Sequence, residues 1–139
     1  MRMLLASVLV LGLGLSACGS AVEPDWTLQV TKVDRFAGCT PIAHLKNNST
    51  ATTNNIEVEV TAGGQKHLAV FENLRPGQSQ DVDLANLVTK NQTCATFPTD
   101  IKVAATPHCL MGGKRVEADK CLAGVKAEAT MPGALALAK

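Results

Sequence analysis

Residues 55–64 read NIEVEVTAGG, and this stretch decides the fold class. Ile56, Val58, Val60 and Ala62 alternate with Glu57, Glu59 and Thr61. Successive side chains of a strand point to opposite faces, so this alternation predicts a strand with one buried and one wet face. Gly63-Gly64 follows and predicts a tight hairpin turn. A return strand is expected over about 66–72, through Leu68, Val70 and Phe71.

The same grammar extends in both directions. Downstream, Arg75-Pro76-Gly77-Gln78 has Pro at the second turn position and Gly at the third, as a type II turn requires. A strand at 79–84 follows, with Asp81 and Asp83 on its outward face. Residues 85–89 are expected to form one helical turn. Upstream, Trp26, Leu28 and Val30 alternate in a first strand. Residues 41–47 make a second strand and end in the polar loop Asn47–Asn55. Three Asn-x-Ser/Thr matches, starting at Asn47, Asn48 and Asn91, are read as loop formers rather than glycosylation sites. Two further strands are expected at 101–109 and 121–129, joined by loop 110–120. The whole is about seven short strands with no helical period, an all-β antiparallel sandwich over residues 26–130. Pro132 and Gly133 are expected to stop the last strand, leaving 131–139 as a frayed, flexible tail.

Five cysteines are present. If Cys18 is set aside, Cys39, Cys94, Cys109 and Cys121 remain, and four cysteines allow three connectivities. Cys109 shares parity with Ile101, Val103 and Ala105. Cys121 shares parity with Ala123, Val125, Ala127 and Ala129. Two antiparallel strands would bring both sulfurs to the mouth of the 110–120 loop, which favours Cys109–Cys121 and leaves Cys39–Cys94. No C-x-x-C pair occurs, which argues against a zinc site.

The N-terminal residues 1–17, MRMLLASVLVLGLGLSA, place Arg2 before an apolar run too short to span a bilayer. The run ends in Leu15-Ser16-Ala17-Cys18, which resembles the bacterial lipobox. That resemblance implies a signal peptide cleaved before Cys18 and acyl chains on that residue. It also implies a lipid-anchored envelope protein facing the periplasm. Gly19 in place of Asp after the Cys implies the outer membrane. Residues 18–25 would then be a short tether. Export favours disulfide pairing of the remaining thiols. The loop and turn pattern over 40–84, closing on Leu74-Arg75-Pro76-Gly77-Gln78-Ser79, resembles bacterial immunoglobulin-like and fibronectin-III-like modules.

Charge and composition exclude some functions. The chain has 13 Lys and Arg against 12 Asp and Glu. Only Arg2 precedes Cys18, so the remainder is formally neutral and carries no electrostatic footprint for nucleic acid. Trp26, Phe36, Phe71 and Phe97 are the only aromatic residues, scant material for ring-stacking sites. His44, His67 and His108 have no ligand-like neighbour at strand or helix spacing. No nucleophile motif or phosphate loop is present. No enzyme, metal site or cofactor is therefore expected. The expected role is a non-catalytic accessory or adaptor subunit with an envelope protein partner. A binding or hydrolase-inhibitor module is the alternative. Its candidate contact surface is loop 110–120, with Leu110, Met111, Lys114 and Arg115, because loops on rigid scaffolds are favoured binding sites.

Overall fold

A computed structural model describes residues 22–139. The signal segment and Cys18 lie outside the described residues. The chain forms β1 (Trp26–Arg35), β2 (Gly38–Asn47), β3 (Thr53–Ala62), β4 (Gln65–Leu74), β5 (Ser79–Asp83) and β6 (Ile101–Met111). Shorter pieces follow: β7 (Lys114–Val116), helix α1 (Ala118–Gly124), β8 (Val125–Ala127), β9 (Ala134–Leu135) and β10 (Leu137–Ala138). Single 3-10 turns at Ala85–Leu87 and Cys94–Thr96 lie between β5 and β6.

Two sheets result. In one, β5, β2 and β1 lie side by side, and β8 and β9 share the remaining edge of β1. In the other, β4, β3 and β6 lie side by side, and β7 and β10 share the outer edge of β6. Trp26, Leu28 and Val30 of β1 and Leu45 of β2 point inward from the first sheet. They meet Ile56, Val58, Val60, Phe71, Ile101 and Val103 from the second. Burying each large apolar side chain contributes about 1.5–3 kcal/mol, so this shared core dominates the stability. The alternation read from 55–62 is therefore physical: Ile56, Val58, Val60 and Ala62 are buried, while Glu57 and Glu59 are not.

Turn chemistry sets the register. Gly63 and Gly64 have φ of 54° and 79°, the doubly positive backbone of a two-residue hairpin turn. Gln78 donates its N–H to the Arg75 carbonyl at 3.0 Å, and Gly77 has φ 80°, as expected for type II. In β6, Ala105 faces Glu59 and His108 faces Glu57, so Thr106 and Pro107 share one position opposite β3. Proline lacks an N–H for the ladder and is tolerated at such bulges. The bulge turns Thr106 inward, where its hydroxyl donates to the Ala118 carbonyl at 3.1 Å.

Both disulfides form as expected, Cys39–Cys94 and Cys109–Cys121. The element carrying Cys121 differs. Residues 118–124 are helix α1 rather than the start of a strand, and only Val125–Ala127 is extended. That piece pairs in parallel with Trp26–Leu28 of the opposite sheet, not with β6. Ala, Lys and Leu are strong helix formers, and Cys121 and Gly124 are buried at the i, i+3 spacing of a helix face. The period-2 reading of 121–129 put Ala123 on the same face as Cys121, whereas Cys121 is buried and Ala123 is exposed.

Three other expectations change. Loop 110–120 is not one long loop. It is the end of β6, a Gly112-Gly113 turn, β7 and the first turn of α1. Leu68 and Val70 face solvent on β4, where Ala69 and Phe71 point inward. The 131–139 tail does not fray: Ala134 and Leu135 pair with Thr31 and Val30, and Leu137 and Ala138 pair with Ile101 and Lys102. One strand end is thus added to each sheet.

Candidate functional site

The sandwich has two ends of different character. At one, the entering segment 22–25 lies against the domain. Its Pro24 packs so closely on α1 that a Cβ at Gly124 would sit 2.6 Å from Pro24 Cβ and 2.7 Å from its carbonyl oxygen. The Asp25 carbonyl accepts the Asn48 N–H at 2.9 Å. The 48–52 loop is organised by buried Asn47. Its amide donates to the Ala51 and Leu74 carbonyls, each at 2.9 Å, and its oxygen accepts from the Ser49 N–H and hydroxyl. Asn47 and Ser49 are thus loop formers, as their sequence context indicates.

Between segment 22–24 and the β6–β7 hairpin lies an open cleft of about 430 Å³. Val22, Glu23 and Pro24 form one wall; Met111, Gly112, Lys114, Arg115, Val116, Glu117 and Lys120 form the rest. The cleft therefore unites three of the four residues expected to form a contact surface. Leu110 lies just outside it, half-buried on β6, and Met111 is only 3% exposed. Lys114 and Arg115 are exposed. Glu23 was not singled out by sequence reasoning, because its place on the cleft depends on how segment 22–24 packs on the domain; Glu117 and Lys120 lie within the 110–120 stretch but were not named there. One signal was available: Gly112-Gly113, with φ 54° and 76°, repeats the hairpin turn of Gly63-Gly64.

The opposite end is built from the β1–β2 turn, the β3–β4 turn and the 88–100 connection between them. The Cys39 N–H donates to the Gln92 carbonyl at 2.9 Å, and the Gly63 N–H to Asp100 at 3.3 Å. The Cys39–Cys94 bond staples this connection to β2. At the tip of the β1–β2 turn, Phe36 is fully exposed, and Val33 nearby is 42% exposed.

On the outer face of the first sheet, Thr31, His44 and Asp81 form a row across three adjacent strands. The Thr31 hydroxyl lies 2.7 Å from His44 Nε2, and His44 Nδ1 lies 2.6 Å from Asp81 Oδ1. The order matches a nucleophile–base–carboxylate relay. Acyl transfer also needs free N–H donors aimed at the developing oxyanion. Here Thr31 sits in β1 between β2 and β9, where neighbouring N–H groups are taken up by ladders. The row reads as a polar clamp across β1, β2 and β5, beside the Arg35–Asp83 ion pair at 3.2 Å. His67, on β4, accepts the Asn86 N–H through Nδ1 at 3.2 Å, and burial holds its pKa below the usual imidazole value. His108 is half-buried on β6, opposite Glu57.

Comparison of the chain with protein-family models, with curated proteins and with solved structures finds no match.

Proposed function

We propose that this protein is a lipid-anchored envelope adaptor: acyl chains on Cys18 hold an immunoglobulin-like sandwich at the periplasmic face of the outer membrane, and its far end engages an envelope protein. The strand connectivity supports the immunoglobulin-like reading. The first hairpin is β1–β2 and the second, in the other sheet, is β3–β4. Then β5 returns to pair with β2, and β6 crosses back to pair with β3. These are the B–E and C–F neighbours of immunoglobulin and fibronectin-III sandwiches, with β7 in the place of strand G.

The observation that carries the adaptor reading is the fully exposed Phe36 at the end opposite the chain's entry from Cys18. β1 rises about 3.3 Å per residue, so Phe36 stands roughly 30 Å from Trp26. Burying the ring on a partner would recover about 1.5–3 kcal/mol of hydrophobic free energy. The test is site-specific photo-crosslinking in intact cells. A photoreactive residue at position 36 should capture one envelope protein, and the same residue at Arg75, at the entry end, should not. Phe36→Ser should abolish co-purification of that protein while leaving the fold intact. Equal capture from both positions, or co-purification unaffected by Phe36→Ser, would overturn the reading.

A further inference from the structure

We infer that the cleft between segment 22–24 and the β6–β7 hairpin is a binding site for the phosphate of an anionic lipid headgroup. The inference rests on the anchored reading of Cys18 for its source of lipid, and on the structure for its chemistry. Val22 is four residues beyond Cys18, so an extended link is at most about 14 Å long. The wall of the cleft formed by Val22, Glu23 and Pro24 is that same chain, already packed on the domain. An acylated Cys18 would hold the cleft beside the headgroup layer.

The lining suits that ligand. Lys114, Arg115 and Lys120 are on the cleft, and among the described residues none of them makes an ion pair. Arg and Lys are the side chains that pair with phosphate, Arg through a planar fork and Lys as a point charge. Glu23 and Glu117 also line the cleft, so the cations outnumber the carboxylates three to two. Val22 and Val116 supply apolar surface beside the charges, as a glycerol backbone leading into acyl chains would need. A volume of about 430 Å³ lies within the roughly 300–1,000 Å³ usual for small-ligand clefts. The loop singled out from sequence as a protein-contact surface is thereby assigned to the bilayer, and protein contact to the Phe36 end.

The test separates the cleft from the anchor. The intact chain in neutral detergent is titrated with dihexanoyl-phosphatidylglycerol, dihexanoyl-phosphatidylcholine or inorganic phosphate, and amide chemical shifts are followed. Phosphatidylglycerol should move the amides of Val22, Glu23 and 111–120 and leave β3 unchanged. A basic residue near an anionic lipid surface is worth about five-fold in binding. Lys114→Gln with Arg115→Gln should therefore weaken binding by at least ten-fold, and Lys120→Gln alone by about five-fold if the double variant is unstable. Binding should fall as salt is raised. No shift with phosphatidylglycerol, equal shifts with inorganic phosphate or phosphatidylcholine, or binding unchanged in the variants would each overturn the inference. An intact mass without acyl chains on Cys18 would instead overturn the anchored reading. The titration with soluble lipid reports on the cleft either way.

Discussion

Trp26 donates its indole N–H to the buried Thr53 hydroxyl at 2.8 Å, and this bond joins the first strand of one sheet to the first strand of the other. Replacing Thr53 by the isosteric Val keeps the packing volume and strips the acceptor. A buried donor left unpaired costs about 1–3 kcal/mol, so Thr53→Val should lower the unfolding free energy by that much, read as a lower denaturant midpoint with an unchanged m-value. His67 makes a different kind of link. Its Nδ1 accepts the Asn86 N–H, a role open only to the unprotonated nitrogen, and burial lowers its pKa from 6.5. The unfolded chain therefore takes up the proton first as pH falls. Its contribution is fully present above about pH 6.5, is lost as pH falls from there through the folded pKa, and levels off below it. Thermal unfolding of His67→Gln against the parent, followed from pH 8 to pH 5, should show this part of the pH dependence removed. An identical pH profile in both proteins would refute the assignment. Neither contact is readable in sequence: each joins residues far apart in the chain, and Thr31–His44–Asp81 needs a cross-strand register before its members become neighbours.

At the scale of elements, the strands with clean alternation and the turns with glycine were legible. The Trp26–Val30 face, the 55–62 strand and the 63–64 and 75–78 turns stand where their residues place them. Helix α1 was not, because Cys121, Ala123 and Val125 satisfy a period of two while Cys121 and Gly124 satisfy a helical one. The pairing of Cys109 with Cys121 was still correct, since a helix beginning at the foot of β7 brings Cys121 back over β6 as a returning strand would. Closing that short ring removes loop entropy from the unfolded chain worth about 3 kcal/mol. The double variant Cys109→Ala/Cys121→Ala should lose about that much stability by denaturant unfolding and keep the ladders of β1 to β5. Gly124 is the other constraint on α1. An alanine there meets the Pro24 carbonyl oxygen at 2.7 Å, and neither backbone can yield cheaply. Overpacking of this kind costs about 1–3 kcal/mol. Gly124→Ala should lose that amount and also raise amide exchange at Asn48, whose N–H donates to the Asp25 carbonyl, because relieving the clash lifts the entry segment away from the domain.

At the scale of the whole molecule, the question is how two open sheets avoid presenting bare edges. On one side, β4 and β5 approach each other across the sheets. The Glu72 N–H on β4, which would otherwise face solvent, donates to the Gln80 side chain on β5 at 2.9 Å. On the other side, the C-terminal residues do the work. Gln29 on β1 accepts the Thr130 and Met131 N–H groups at 2.9 and 2.8 Å, and the chain then pairs with β1 as β9 and with β6 as β10. This closure was illegible in sequence because ALALAK has no polar alternation and each paired piece is only two residues long. A frayed tail and a closing strap make opposite predictions for truncation. If the tail were frayed, ending the chain after Met131 would leave both stability and solution state unchanged. As the structure has it, truncation uncovers the half-buried Leu135 and Leu137 contacts and frees the outer edges of β1 and β6. Unpaired strand edges template association between chains. The truncated protein should therefore unfold at lower denaturant and, in sedimentation at rising concentration, associate where the full chain stays unchanged. Equal midpoints with equal sedimentation would show that the last residues contribute nothing to closing the sandwich.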